Sequence, residues 1–263
     1  MLEKCTLVLG LDRKHLEQLA MVWPTWERYK PELRKAQLCV FYDRDQLSIQ
    51  DLRQVIDRRA TVIAWPPKDV EYPEGDGSKW FNQQRVKMLS GFVHVPAQYC
   101  KTPWWLKIDT DTIATGSQNW LPSEEEFASG AIIAQKWGFT KPGDQMLKLD
   151  EWAEREKPYD LQGTPPLALE PRPGSSRLSH ARIISWCGFF STAFTQAAST
   201  AAIVSCGAGQ MPCGSQDGYL WYFAKRMRLP IIRKNFKSGG WLHRSSMKSV
   251  RDESIKAMRD EPD

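Results

Sequence analysis

The chain has 263 residues, of which 41% are hydrophobic and 25% are charged, and a net charge of +5 at pH 7. This composition argues against disorder, and the length allows one large domain with a sizeable core. The positive charge is diffuse and forms no stripe of lysine and arginine, so we expect no nucleic-acid partner.

The start of the chain and its cysteines indicate a compartment. Residues 1–4 lack the apolar region of a signal peptide, and no uninterrupted apolar run reaches membrane-spanning length. The six cysteines include no Cys-x-x-Cys pair and lie mostly beside apolar runs, which is typical of free buried thiols. We therefore predict a cytoplasmic protein without a transmembrane segment.

Strands and helices alternate along the first part of the chain. Apolar runs predict strands at residues 5–10, 37–43 and 60–65. Asp12 can cap an amphipathic helix that Pro24 kinks or ends, and Ser48 with Asp51 forms a plausible capping pair for the next helix. This order predicts βαβ units and a largely parallel sheet.

The same alternation continues to the end of the chain. The expected elements are a loop at 66–79, strands at 129–135, 181–192 and 229–236, and helices at 80–95, 195–206 and from Ser215 onward. Residues 142–179 are polar and rich in proline, which predicts a long insertion that acts as a lid, with a short helix near residues 147–155. Residues 239–243 predict a glycine-flanked turn, and residues 245–263 a charged tail that is either a solvated helix or frayed.

The most informative stretch is Trp-Trp-Leu-Lys-Ile-Asp-Thr-Asp-Thr, residues 104–112. Its apolar part reads as a buried strand that ends in Asp109 and Asp111. Side chains two residues apart on a strand face the same way, so both carboxylates should emerge together at the carboxyl end, where open α/β sheets bind ligands. Asp-x-Asp pairs also cap helices or solvate turns, but the strand before this one favours a divalent metal between the carboxylates.

These motifs resemble those of the nucleotide-sugar-dependent glycosyltransferases with the GT-A fold. The resemblance covers residues 5–243 and is carried by Asp109-Thr110-Asp111, by Gln216-Asp217-Gly218-Tyr219-Leu220, and by His243. It implies a single α/β domain at residues 1–244, with a mostly parallel, Rossmann-like central sheet flanked by helices. Residues 142–179 would be its lid, and residues 245–263 a tail.

The resemblance also implies a metal cofactor and a nucleotide-sugar donor. Asp109 and Asp111 would bind Mn²⁺ or Mg²⁺, with Asp109 also contacting the ribose of the nucleotide. His243 would add a nitrogen ligand or touch the diphosphate. Imidazole among oxygen ligands slightly favours Mn²⁺ over Mg²⁺. The metal would neutralise the diphosphate leaving group.

Further roles follow for four residues. Asp217 would be the general base that deprotonates a hydroxyl acceptor, Arg85 or Lys87 would contact the diphosphate, and Asp43 would hydrogen-bond the base or ribose. The sequence has no His-x-x-Gly-x-Lys-Pro-Trp segment of one retaining family, which favours inversion. Asp217 could equally be a helix-capping carboxylate, and the other three could be solvated charges or turn residues.

Two other readings remain open at this point. Ile108-Asp109-Thr110-Asp111-Thr112 also matches the motif of haloacid-dehalogenase-like phosphatases, in which Asp109 would be the nucleophile and Mg²⁺ the cofactor. That motif normally follows the first strand of its domain, whereas about a hundred residues of α/β pattern precede it here. The third reading is a nucleotide-sugar-binding protein without turnover.

Overall fold

Ten strands and eight helices carry the fold in the computed structural model, which describes residues 1–68, 70, 72, 83–140, 145–158, 161, 170–171, 178–213 and 215–260. The strands are β1 Cys5–Leu11, β2 Gln37–Asp43, β3 Thr61–Trp65, β4 Trp104–Ile108, β5 Thr112–Ala114, β6 Ile132–Thr140, β7 Glu170–Pro171, β8 Leu178–Ser191, β9 Ile231–Arg233 and β10 Trp241–His243. The helices are α1 Arg13–Tyr29, α2 Ile49–Arg53, α3 Gln83–Tyr99, α4 Glu124–Ser129, α5 Gln145–Glu156, α6 Thr192–Cys206, α7 Gln216–Arg226 and α8 Met247–Arg259.

The central sheet has the strand order β3-β2-β1-β4-β8-β6-β9, with β7 paired to β8. Strands β3, β2, β1 and β4 are parallel, β8 runs antiparallel to β4 and β6, and β9 is parallel to β6. The predicted α/β fold with a mostly parallel central sheet is confirmed. The chain leaves β1 toward β2 and β3, then returns to β4 on the other side of β1. This reversal makes a crevice between the carboxyl ends of β1 and β4, the usual place for a ligand in such sheets.

Local sequence signals explain where several helices begin. The Asp12 side chain accepts from His15 N at α1, Ser48 and Asp51 form the predicted capping box at α2, and Ser215 caps α7. Helix α1 continues through Pro24 to Tyr29, although the sequence predicted a kink or an end at the proline.

The core lies on both faces of the sheet because successive strand residues point to opposite sides. On β4, Trp105 belongs to the same apolar cluster as Phe41 and Phe92, whereas Leu106 and Ile108 belong to the other. All five β4 side chains are buried. This strand is therefore a rigid base for the residues that follow it.

The predicted lid and the predicted tail each contain a helix that packs on the body of the domain. Helix α5, within the predicted lid, is anchored to the body: Trp152 is buried, and Tyr222 Oη and Arg226 Nη1 donate to Asp150 Oδ1 at 2.7 and 3.0 Å. Much of the rest of 142–179 lies outside the described residues. Helix α8, expected as a charged tail, packs on α1 with Ala257 buried.

The last strands are also shorter and differently placed than expected. The strand predicted at 229–236 is three residues long, and the predicted turn at 239–243 contains a strand that pairs with β5. Among the described residues, no helix is both long enough and apolar enough to cross a membrane.

Candidate functional site

Asp109 and Asp111 lie directly after β4, at the crevice between β1 and β4. Asp109 N donates to Trp186 O at 2.7 Å, and Thr112 N donates to Asp109 O at 3.0 Å, which closes a turn into β5. The Asp109 and Asp111 side chains are 32% and 20% exposed. Both carboxylates are thus held at the sheet edge and are accessible to a ligand.

His243 is brought to the same place by the β5–β10 ribbon. The antiparallel register sets His243 opposite Thr112, and Arg244 N donates to Asp111 O at 2.9 Å. The ribbon begins after Gly240, whose φ of 77° and close approach to Gly116 favour glycine. Trp186 stacks on the imidazole with ring centroids 5.9 Å apart, which fixes the ring plane.

Ligand atoms of Asp109, Asp111 and His243 lie within 4.8 Å of one another. His243 Nε2 is 3.1 Å from Asp111 Oδ1, yet this buried oxygen forms no hydrogen bond of acceptable geometry. Two carboxylates and one imidazole form a donor set that suits Mn²⁺. The unsatisfied buried oxygen and the donor set both fit a divalent metal.

The electrostatics of His243 reflect the excess of negative charge. Burial lowers the pKa of His243, but the carboxylates of Asp111 and Asp109 outweigh burial, so the net pKa is raised. A cation is therefore favoured beside these carboxylates, whether it is a metal or the imidazolium.

Lys107 is a further member of the site that sequence reasoning did not single out. Its side chain is 3% exposed, pairs with Asp109, and its Nζ lies 5.0 Å from the centre of the Phe92 ring. Burial lowers the pKa of Lys107, but the charges of Asp109 and Asp217 outweigh burial and raise it. A lysine inside an otherwise apolar strand, two residues before Asp109, is the signal that could have revealed it.

Asp217 lies in the first turn of α7 and is half-buried. Ser215 Oγ accepts from Gly218 N at 3.2 Å and starts the helix, while Gln216 Nε2 donates to Asp217 Oδ1 at 2.8 Å. The Asp217 charge acts on both Lys107 and Asp109. The fold thus brings a third carboxylate to this edge of the sheet.

Asp43 ends β2 and is fully buried. Its carboxylate accepts from Asp45 N at 3.0 Å, Gln46 Nε2 at 3.0 Å, Gln84 Nε2 at 2.5 Å and Lys87 Nζ at 3.1 Å. Lys87 also pairs with Asp45 at 2.5 Å. In this structure Asp43 holds Lys87 and Gln84 in place, and its predicted contact with the base or ribose stays a prediction.

A cleft of about 910 Å³ opens beside Lys87. It is lined by Arg44, Asp45, Pro66, Pro67, Lys68, Val70, Tyr72, Gln83, Gln84 and Lys87. Arg85 lies in the first turn of α3, and its side chain is outside what the structure describes. The cleft adjoins the carboxyl ends of β2 and β3, on the same edge of the sheet as Asp109.

The fold was compared with those of known proteins. No protein-family model and no curated protein matches the sequence. Core-mannan synthase A of Aspergillus fumigatus, in its Mn/GDP form, is 10% identical with a TM-score of 0.60, over 91% of this chain and 74% of that chain. The chain has the GT-A fold. The mannosyltransferase Ktr4p of S. cerevisiae in complex with GDP is 10% identical with a TM-score of 0.53, over 91% of this chain and 71% of that one.

The GT-A fold disfavours the phosphatase reading of the Asp-x-Asp motif. Strands β1, β2 and β3 all precede Asp109, which follows β4 rather than the first strand of the domain. The alternative in which Asp109 is a phosphatase nucleophile is therefore not favoured.

Proposed function

We propose that this chain is a metal-dependent glycosyltransferase that transfers a sugar from a nucleotide-sugar donor to a hydroxyl acceptor. The observation that supports this function most strongly is the cluster of Asp109, Asp111 and His243 at the crevice of a GT-A sheet. A diphosphate needs a cation to leave as a stable anion, and this cluster offers three ligand atoms for one.

In this proposal Asp109, Asp111 and His243 hold Mn²⁺ or Mg²⁺, which supplies charge neutralisation for the departing diphosphate. Trp186 keeps the imidazole in its plane, and Lys107 pairs with Asp109. GDP is the first nucleotide to test because it is present in the two similar mannosyltransferase structures.

The cleft beside Lys87 is the proposed nucleoside site. The ends of β2 and β4 are separated by β1 alone, so these two strand ends lie about 10 Å apart, a span that one nucleoside diphosphate can bridge. Arg44 and Lys68 line the cleft with positive charge, beside the Lys87–Asp45 ion pair. Lys87 and Arg85 would contact the phosphates, and Asp43 would act on the base or ribose through the side chains it orders.

Asp217 is the proposed general base. Its carboxylate would accept the proton of the acceptor hydroxyl as that oxygen attacks the anomeric carbon. Asp217 lies in the first turn of α7, and its charge acts on Lys107 beside the metal cluster. Inversion is the stereochemical outcome we propose, and residues 142–179 would contribute the acceptor side of the site.

A thermal-shift panel tests the proposal. Metal-free protein is heated with GDP, UDP, CDP or TDP, each with and without Mn²⁺, beside Asp111→Asn as the matched variant. We expect one nucleotide to raise Tm only with Mn²⁺, and only in the wild type. A shift caused by beryllofluoride with Mg²⁺, with none from any nucleotide, would contradict the proposal and support the phosphatase.

Turnover separates an enzyme from a binding protein. The protein is incubated with the sugar conjugate of the nucleotide that binds. An enzyme should release free sugar or a glycoside, and proton NMR of the first product gives the anomeric configuration. Tight binding without release of sugar would support the non-catalytic alternative, and retained configuration would exclude inversion.

A further inference from the structure

We propose that Lys107 is a built-in counter-ion that competes with the divalent cation for the carboxylates of the site and so limits how tightly the metal binds. The inference rests on the proposed function, because it concerns the same cluster. It assigns a role to a residue that lies outside the Asp-x-Asp motif and contributes no metal ligand.

The position of Lys107 requires a compensating charge. Its side chain is 3% exposed and lies on a strand whose other four side chains are apolar and buried. A buried ammonium group costs several kcal/mol unless it is paired, so an unpaired lysine would not persist at this position. Asp109 supplies the ion pair, and the face of Phe92 covers the ammonium at 5.0 Å.

Asp109 is the point at which Lys107 meets the metal cluster. Its carboxylate pairs with Lys107, and ligand atoms of Asp109, Asp111 and His243 lie within 4.8 Å of one another. A divalent cation held by this cluster would therefore share Asp109 with Lys107, and the two positive charges would repel each other.

Competition between Lys107 and the metal for Asp109 has a measurable consequence. In the metal-free protein Lys107 offsets part of the repulsion among the carboxylates, and in the metal-bound protein it repels the metal. Removing its charge should therefore destabilise the metal-free state and tighten metal binding. A lysine that merely positioned Asp109 would have the opposite effect, because its loss would free the ligand and weaken binding.

Calorimetric titration of Mn²⁺ alone into metal-free protein at pH 8 distinguishes these cases. We expect Lys107→Met to lower the Kd for Mn²⁺ by about tenfold or more and to lower the metal-free Tm, with a larger rise in Tm on adding Mn²⁺. Lys107→Arg keeps the cation and should bind Mn²⁺ with nearly the wild-type Kd. Lys234→Met removes the same charge from the Glu126 pair, whose atoms are 3.0 Å apart, and should leave the Kd unchanged.

The possible failures are separable. Unchanged or weaker Mn²⁺ binding in Lys107→Met, with wild-type binding intact, overturns the counter-ion role and leaves the proposed function standing. No Mn²⁺ binding by the wild type overturns the proposed function itself. If Lys107→Met does not fold, Lys107→Gln keeps a donor to Asp109 without the charge, and it too must tighten Mn²⁺ binding for the proposal to hold.

Discussion

Two lysine–aspartate clusters lie on the same edge of the sheet, and they differ in how much of their bonding capacity is already used. Asp43 is fully buried and accepts four hydrogen bonds from within the protein, one of them from Lys87. Asp109 and Asp111 are partly exposed, and the buried Oδ1 of Asp111 lies 3.1 Å from His243 Nε2 without a hydrogen bond of acceptable geometry.

The difference separates a carboxylate that holds the fold from one that can bind a ligand. A buried charge with a full set of donors stabilises its surroundings and has little to offer a metal. A carboxylate with a free lone pair and two neighbouring ligand atoms gains from a cation. The comparison predicts that substitutions at Asp43 and at Asp111 have separable effects on stability and on metal binding.

Asp111→Asn should have the largest effect. The substitution removes the charged Asp111 carboxylate, the proposed metal ligand beside His243. We therefore expect Mn²⁺ affinity to fall by about 100-fold or more, with little change in the free energy of unfolding. Calorimetry gives the affinity and urea denaturation gives the stability. A variant that still binds Mn²⁺ normally would place the metal elsewhere.

Asp43→Asn should show the reverse pattern. The amide cannot accept from all four donors, and Lys87 keeps only its exposed partner Asp45, so we expect a loss of about 2 kcal/mol in the free energy of unfolding. Mn²⁺ affinity in the absence of nucleotide should not change. A drop in that affinity would contradict the separation of the two clusters.

Trp186→Leu tests whether the orientation of the His243 ring affects Mn²⁺ binding. Without the stacked indole the ring of His243 can rotate, and we expect Mn²⁺ affinity to fall by about tenfold. Trp104→Leu is the matched control, since it also removes a buried indole, packed on Phe127, from the sheet. Equal losses of affinity in both variants would point to general destabilisation.

Gly240→Ala should act on stability, through the ribbon that carries His243. A Cβ would lie 2.5 Å from Gly116 O at a φ of 77°, so the ribbon that carries His243 must shift, at a cost of about 1–3 kcal/mol in stability. Urea denaturation measures this cost, and a variant as stable as the wild type would show that the contact with Gly116 is unimportant.

Local signals predicted much of the fold. The capping box at Ser48 and Asp51 and the strand at residues 37–43 depend on neighbours in sequence, and both are found where they were expected. The ribbon between β5 and β10 could not be predicted in this way, because each strand has three residues and they pair across more than a hundred positions.

The residues of the candidate site also differ in whether a local sequence signal predicts them. Asp109 and Asp111 could be read from the strand before them, whereas the role of His243 came only from the resemblance to a family. Asp43 shows why a pattern alone is insufficient: it also follows an apolar strand, but donors such as Gln84, from a later helix, use its oxygens. The sequence alone identifies the carboxylate and the strand before it. The hydrogen-bond donors that occupy the carboxylate oxygens are brought there by the tertiary fold.

An EPR titration of Mn²⁺ tests the central claim most directly, because only free hexaaqua Mn²⁺ gives the sharp six-line signal that is counted. With metal-free wild type and Asp43→Asn, we expect the free signal to be suppressed up to one equivalent. With Asp111→Asn and His243→Gln, it should appear from the first addition. Equal suppression in all four proteins, or none in the wild type, would contradict a metal centre at Asp109, Asp111 and His243.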